Sequence, residues 1–162
     1  MAKYVNALFG TLAALGLTAS VVVHALAVLG HPVQDVVPGV WGLHLGIFVV
    51  GLPTVFVLRK KRDSNDPFAF MRGLPSWAVV LLVSLFVYAF INMSITFPSL
   101  IDGSPVVNDG QYVLVNKGAV IRPLTEDEFV RGRALMLRGF SGHWMVFYWV
   151  AAATLLLRRP TE

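Results

Sequence analysis

Residues 138–149 read RGFSGHWMVFYW and join the longest polar segment of the chain, 99–139, to its last apolar segment. Small and polar residues therefore stand at the mouth of a predicted membrane helix, beside two tryptophans: Gly139, Ser141, Gly142 and His143. We expect one wall of a functional site here. The sequence indicates the class of the protein far more clearly than its activity.

The composition is that of a chain with lipid around it. Of 162 residues, 56% are hydrophobic and 14% are charged, and the mean hydropathy is +0.70. Soluble domains carry about 25% charged residues. The absence of cysteine excludes disulfides, thiolate metal sites and thiol catalysis. The net charge of +4 does not indicate nucleic acid, because the charges flank apolar spans, as membrane topology requires.

Four apolar segments have the length of membrane helices. A hydrocarbon core about 30 Å thick needs roughly 20 helical residues. The predicted spans are Val5–Val28, Val40–Leu58, Ser76–Phe97 and Phe140–Leu157. For the first, a signal peptide is the alternative, since Ala25-Leu26-Ala27 resembles a cleavage site, but the apolar run is long and only Lys3 precedes it.

The long polar segment predicts a hairpin followed by a helix. Two β-branched runs in Gln111–Leu124 surround Asn116-Lys117-Gly118, a hairpin pattern with glycine at the turn. Thr125 and Glu128 form a capping box, so an interfacial helix should run from Glu126 to Arg138 and end at Gly139. The predicted fold is an all-α, four-transmembrane-helix bundle, one integral membrane domain over 1–162, with an extracytoplasmic β-hairpin and interfacial helix at 99–139.

Lys and Arg set the predicted orientation. With the N-terminus inside, the inner side holds eight: Lys3, Arg59, Lys60, Lys61, Arg62, Arg72, Arg158 and Arg159. The outer side holds five: Lys117, Arg122, Arg131, Arg133 and Arg138. Both termini are therefore expected to be cytoplasmic.

Polar side chains gather at the outer ends of the spans. Counted at about 1.5 Å per residue, His24, His44 and His143 lie near one level, about 5–7 Å below the outer interface. Asn92 and Ser141 occupy the same zone. Small residues on the faces of His24 and His44 favour burial, so we predict that these two face each other or a shared outer cavity, with His143 and Asn92 near its rim.

Three interpretations of this group remain open. In the first, the polar groups bond to each other across helices and bind nothing. In the second, His24, His44 and His143, with Asn92 and Ser141 beside them, bind haem, or zinc or copper with Asp35 or His31 as additional ligands. Neither an HxxxH nor an ExxH spacing supports the second.

The third interpretation is hydrolysis. Gly139-Phe140-Ser141-Gly142 resembles the GxSG motif of rhomboid intramembrane proteases. The resemblance covers four residues and implies a serine nucleophile, whose base would be His24 or His44. Rhomboids have at least six spans and a catalytic histidine on a later helix, a pattern that this sequence does not follow.

A wider pattern resembles a family of small bacterial four-span inner-membrane proteins that have no assigned activity. It comprises Pro38-Gly39-Val40-Trp41, the following Leu43–Phe48, and Gly139–Trp144. The resemblance implies a multi-pass protein of the bacterial inner membrane. We predict a non-enzymatic accessory or scaffold protein in the lipid bilayer that contacts a membrane-protein partner through 99–139, without nucleic acid.

Overall fold

The computed structural model of the protein describes residues 2–59, 71 and 73–158 and is mostly helical. Its helices are α1 (Ala2–Val28), α2 (Val33–Val36), α3 (Gly42–Arg59), α4 (Ser76–Asp102) and α5 (Glu126–Ala152), which continues as a π-helix over Ala153–Leu157. Its strands are β1 (Ser104–Asn108), β2 (Gln111–Asn116) and β3 (Ala119–Pro123). Part of the basic cluster used for the orientation, Lys60–Arg62 with Arg72 and Arg159, lies outside the described residues.

Among the residues that the structure describes, three helices are long and apolar enough to cross a membrane: Lys3–Val28, Ser76–Asp102 and Glu126–Leu157. Large apolar side chains such as Phe48, Phe86 and Phe90 are exposed on the helices, as expected for a surface in contact with lipid. The apolar helix Gly42–Leu58 is shorter, so the crossing by α3 stays a prediction.

The prediction of a separate interfacial helix ending at Gly139 is wrong. The helix that begins at Thr125 runs without interruption into the last apolar segment. Gly139 is buried, and a Cβ placed there would lie 3.1 Å from Thr96 Oγ1 and 3.3 Å from Leu100. Its small size therefore serves close packing of α5 on α4 rather than helix termination.

The end of the third span also differs from the prediction. α4 passes through Pro98 and ends at Asp102. The following Gly103 has φ 140°, a conformation that side chains rarely adopt, and its missing side chain leaves room for the Val115 carbonyl. The stop signal is this glycine, since one proline in the last turns removes only one backbone donor.

The predicted hairpin is confirmed, with a third strand beside it. β2 and β3 pair antiparallel around Lys117 and Gly118, and β1 pairs antiparallel with β2, so the order is β1-β2-β3. Asp109 and Gly110, both at positive φ, connect β1 to β2, as in the Asp-Gly turns that favour two-residue hairpins.

α5 is the central helix, because α1, α3 and α4 all pack against it. Gly16 on α1 and Gly46 on α3 lie directly against Tyr148, whose hydroxyl donates to the Leu43 carbonyl at 2.7 Å. Two glycines thus let one buried tyrosine fasten α1 and α3 to α5.

Candidate functional site: the outer polar cluster

A group of five side chains from α1, α4 and α5, here called the outer polar cluster, lies at the predicted outer level: His24, Tyr88, Asn92, Arg138 and Ser141. At its centre His24 is 5% exposed. Its Nδ1 lies 2.8 Å from Ser141 Oγ, and its Nε2 lies 2.6 Å from the Tyr88 hydroxyl. Both imidazole nitrogens are therefore occupied by side-chain hydroxyls.

Asn92 and Arg138 join α4 to α5 by two reciprocal hydrogen bonds. Arg138 Nε donates to Asn92 Oδ1 at 2.8 Å, and Asn92 Nδ2 donates to the Arg138 carbonyl at 3.0 Å. Thr96 Oγ1 donates to the Asn92 carbonyl at 3.0 Å. Asn92 is 1% exposed, so its amide uses these partners in place of water.

One proton arrangement satisfies the polar atoms around His24. Tyr88 donates to Nε2, Nδ1 donates to Ser141 Oγ, and Ser141 donates to the Arg138 carbonyl at 3.3 Å. In the opposite tautomer Ser141 donates to Nδ1, and His24 is then placed as its base. The contact between His24 and Ser141 is therefore compatible both with a structural hydrogen bond and with an activated serine.

The surroundings of Ser141 favour the structural bond. The residue is completely buried and lies in the interior of α5. In the interior of a helix the backbone N–H groups are engaged in the helix itself, whereas an oxyanion needs free donors. The resemblance to rhomboid proteases predicts that this serine lies at the start of a helix, where such donors exist.

The other two histidines have different partners. His44 Nδ1 accepts from Trp144 Nε1 at 3.0 Å, and His143 Nδ1 lies 3.0 Å from the Gly139 carbonyl in its own helix. Over the described ranges, no group of three His, Asp or Glu side chains is placed to hold a metal ion. The three histidines therefore have separate partners in this structure, and metal binding by them stays a prediction.

Haem binding stays a prediction. To ligate iron, His24 would have to give up a hydrogen bond to Ser141 or Tyr88. A Soret band in the absorption spectrum of the detergent-purified protein would indicate haem.

Sequence reasoning did not include Tyr88 or Arg138 in the site. Tyr88 lies inside the third predicted span, and Arg138 was used only among the charges that set the orientation. Helical spacing could have indicated both residues. Tyr88 precedes Asn92 by four residues and Arg138 precedes Ser141 by three, so each lies on the same helix face as a residue already assigned to the site.

A cleft of about 300 Å³ lies between the end of α4, the sheet and the first turns of α5. Its apolar lining includes Leu100, Leu114, Leu124 and Leu135. Arg122 and Glu128, 2.9 Å apart, form an ion pair at its edge.

The turn between α1 and α3 is also fastened to α5. Asp35 forms an ion pair with Arg133, and Gln34 Nε2 donates to the Arg133 carbonyl at 2.6 Å. Asp35 is therefore already engaged and does not extend the histidine group.

Comparison with protein-family models, with curated proteins and with solved structures finds no match. The resemblances to the rhomboid motif and to the four-span family stay predictions.

Proposed function

We propose that this chain is a four-span protein of the bacterial inner membrane, with both termini cytoplasmic, that acts without catalysis as an accessory or scaffold subunit. Its outer sheet docks a membrane-protein partner. The observation that carries this proposal is the continuity of α5 from the sheet into the bundle.

The length of α5 makes it a rigid support for the sheet. The apolar helix Glu126–Leu157 has 32 residues, about 48 Å at 1.5 Å per residue, against about 30 Å for the hydrocarbon core. Its first turns therefore extend beyond the core, where Phe129 stacks on Tyr112 of β2 with ring centroids 4.4 Å apart. Gly132 lies against Pro105 of β1. A partner bound to the sheet would be held at a fixed height and direction.

Several apolar side chains of the sheet are exposed. Val107 on β1 and Val120 and Ile121 on β3 are each more than half exposed, and every residue of β3 is exposed. An exposed edge strand with branched apolar side chains is suited to pairing with another chain. The polar cluster below is engaged in bonds between its own members, which favours a supporting role for it.

Site-specific photocrosslinking in cells tests this proposal. A crosslinking residue at Val120 or Ile121 should give one discrete adduct with the same partner, and Ile121→Glu should remove the adduct formed from Val120. Asp127, exposed in the first turn of α5, is the control position and should give none. If the sheet positions give no adduct, or only the diffuse pattern of the control, the scaffold proposal fails.

A second candidate function rests on the 2.8 Å contact between His24 and Ser141: intramembrane serine hydrolysis. A fluorophosphonate probe decides it. Labelling of the wild type that is lost in Ser141→Ala and in His24→Gln would establish a reactive serine. Absence of labelling in membranes and in detergent would remove this candidate.

A further inference from the structure

We propose that the Arg138 guanidinium binds the phosphate of an anionic phospholipid in the outer leaflet. The site would lie between α4 and α5, where Asn92 fixes the arginine. This inference rests on the placement of α5 across the membrane and is independent of any docking to the sheet.

The depth of Arg138 matches the boundary between hydrocarbon and headgroups. Leu157, at the other end of the helix, follows it by 19 residues, about 29 Å at 1.5 Å per residue, close to the thickness of the hydrocarbon core. With Leu157 at the inner boundary, Arg138 stands at the outer one. Lipid phosphates lie just beyond this level.

The guanidinium of Arg138 has N–H donors beyond the one that bonds to Asn92. Arginine carries five N–H donors in a planar fork that fits phosphate. Nε–H is used by Asn92 Oδ1, and no further side-chain bond of Arg138 is seen within residues 2–59, 71 and 73–158. Because Asn92 is itself buried and bonded back to α5, the fork is held in place before a ligand arrives.

Arg138 also differs from the other arginines of α5 in its charge balance. Arg133 pairs with Asp35 and Arg131 lies 4.0 Å from Asp127. Within the described parts of the chain, Arg138 has no acidic partner. A cation at the edge of the hydrocarbon is attracted to anionic headgroups, and the phosphodiester of a neighbouring lipid supplies a counter-charge at this depth.

The pair Arg138→Gln and Arg131→Gln tests the site. Both remove one positive charge from the same face of α5, seven residues apart, but only the first reaches the proposed phosphate. Glutamine keeps an N–H donor for Asn92. The readout is native mass spectrometry of protein taken from mixed micelles with equal amounts of phosphatidylglycerol and phosphatidylcholine.

Both lipids carry a phosphodiester, but the quaternary ammonium of phosphatidylcholine cancels its negative charge. Wild type and Arg131→Gln should therefore retain phosphatidylglycerol about tenfold over phosphatidylcholine, a difference of about 1.4 kcal/mol. Arg138→Gln should retain the two lipids equally. Equal retention by wild type, or unchanged preference in Arg138→Gln, overturns the proposal. So does displacement of the lipid by soluble glycerophosphate, which would indicate a site for free phosphates.

If Arg138→Gln does not fold in detergent, Arg138→Lys takes its place. Lysine keeps the charge but loses the planar fork, so the preference should fall to less than half of that of wild type. A preference equal to that of wild type would show that charge alone attracts the lipid, and it would overturn the assignment to the guanidinium.

Discussion

His24 on α1 and Ser141 on α5 lie 2.8 Å apart across 117 residues of sequence, in a contact that water does not reach. This bond ties the first long helix to the last one at the level where Asn92 ties α4 to the same helix. Polar hydrogen bonds to α5 therefore hold α1 and α4 at the level of the outer polar cluster. Glycine contacts around Tyr148 hold α1 and α3 against α5 at a deeper level.

Ser141→Ala should destabilise the bundle through His24. The substitution leaves a buried imidazole nitrogen without its partner, which costs about 1–3 kcal/mol of unfolding free energy. Thermal unfolding in detergent measures the loss. Ser94→Ala is the control, because Ser94 is exposed and bonds only to the Phe90 carbonyl of its own helix. Equal effects of the two substitutions would contradict a stabilising role for the His24 bond.

Gly16→Ala should also destabilise, for a steric reason. A methyl group at this position would overlap the Tyr148 ring, and overpacking of this kind costs about 1–3 kcal/mol. At Gly51 on α3 nothing lies within 4 Å of an added Cβ, so Gly51→Ala should be neutral or stabilising by up to about 1 kcal/mol. Thermal unfolding of the two variants is compared in one detergent. A Gly16→Ala variant that unfolds at the same temperature as wild type would contradict the predicted overlap with Tyr148.

The helices and the hairpin were predictable because their signals are local. Hydrophobic length defines the apolar helices, and Asn116-Lys117-Gly118 defines the turn of the hairpin. β1 was missed because Pro105 lies in the strand, and its pairing with β2 shows only when Ser104 is brought opposite Val115. The continuity of α5 through Gly139 was missed because a glycine after a polar helix has the same local pattern whether it caps the helix or packs against a neighbour.

The depth of the candidate site could be predicted from the sequence, but the hydrogen-bond partners of its residues could not. Rise per residue places His24, His44 and His143 near one level, and that level is indeed polar around His24. Which side chains meet depends on helix rotation, a property of the packed bundle. Hence His24 bonds to Ser141, while His44 accepts a hydrogen bond from Trp144 and His143 contacts a carbonyl of its own helix.

Asp35→Asn should loosen the turn between α1 and α3. It breaks the ion pair with Arg133, whose side chain is about one-quarter exposed, at a cost of about 1 kcal/mol, the upper end for pairs that water partly screens. Asp127→Asn, which removes an exposed and longer pair with Arg131, should leave hydrogen exchange of this turn unchanged. Faster hydrogen exchange of residues 30–41 in the first variant alone would agree. Identical exchange in both would show that the Asp35 pair contributes nothing to the position of the turn.

Thr125→Ala tests whether α5 is one rigid helix from the sheet into the membrane. The Thr125 hydroxyl accepts from the Glu128 N–H, and the Glu128 carboxylate accepts from the Thr125 N–H. Loss of such a cap costs about 1 kcal/mol. Hydrogen exchange should become faster over the first turn of α5, while Thr125→Ser, which keeps the cap, should match wild type. Amides 139–142 should stay protected in every variant, because they lie inside a continuous helix that packs on Asn92 and Thr96. Rapid exchange there in wild type would show two helices meeting at Gly139, and the sheet would then lose its rigid support.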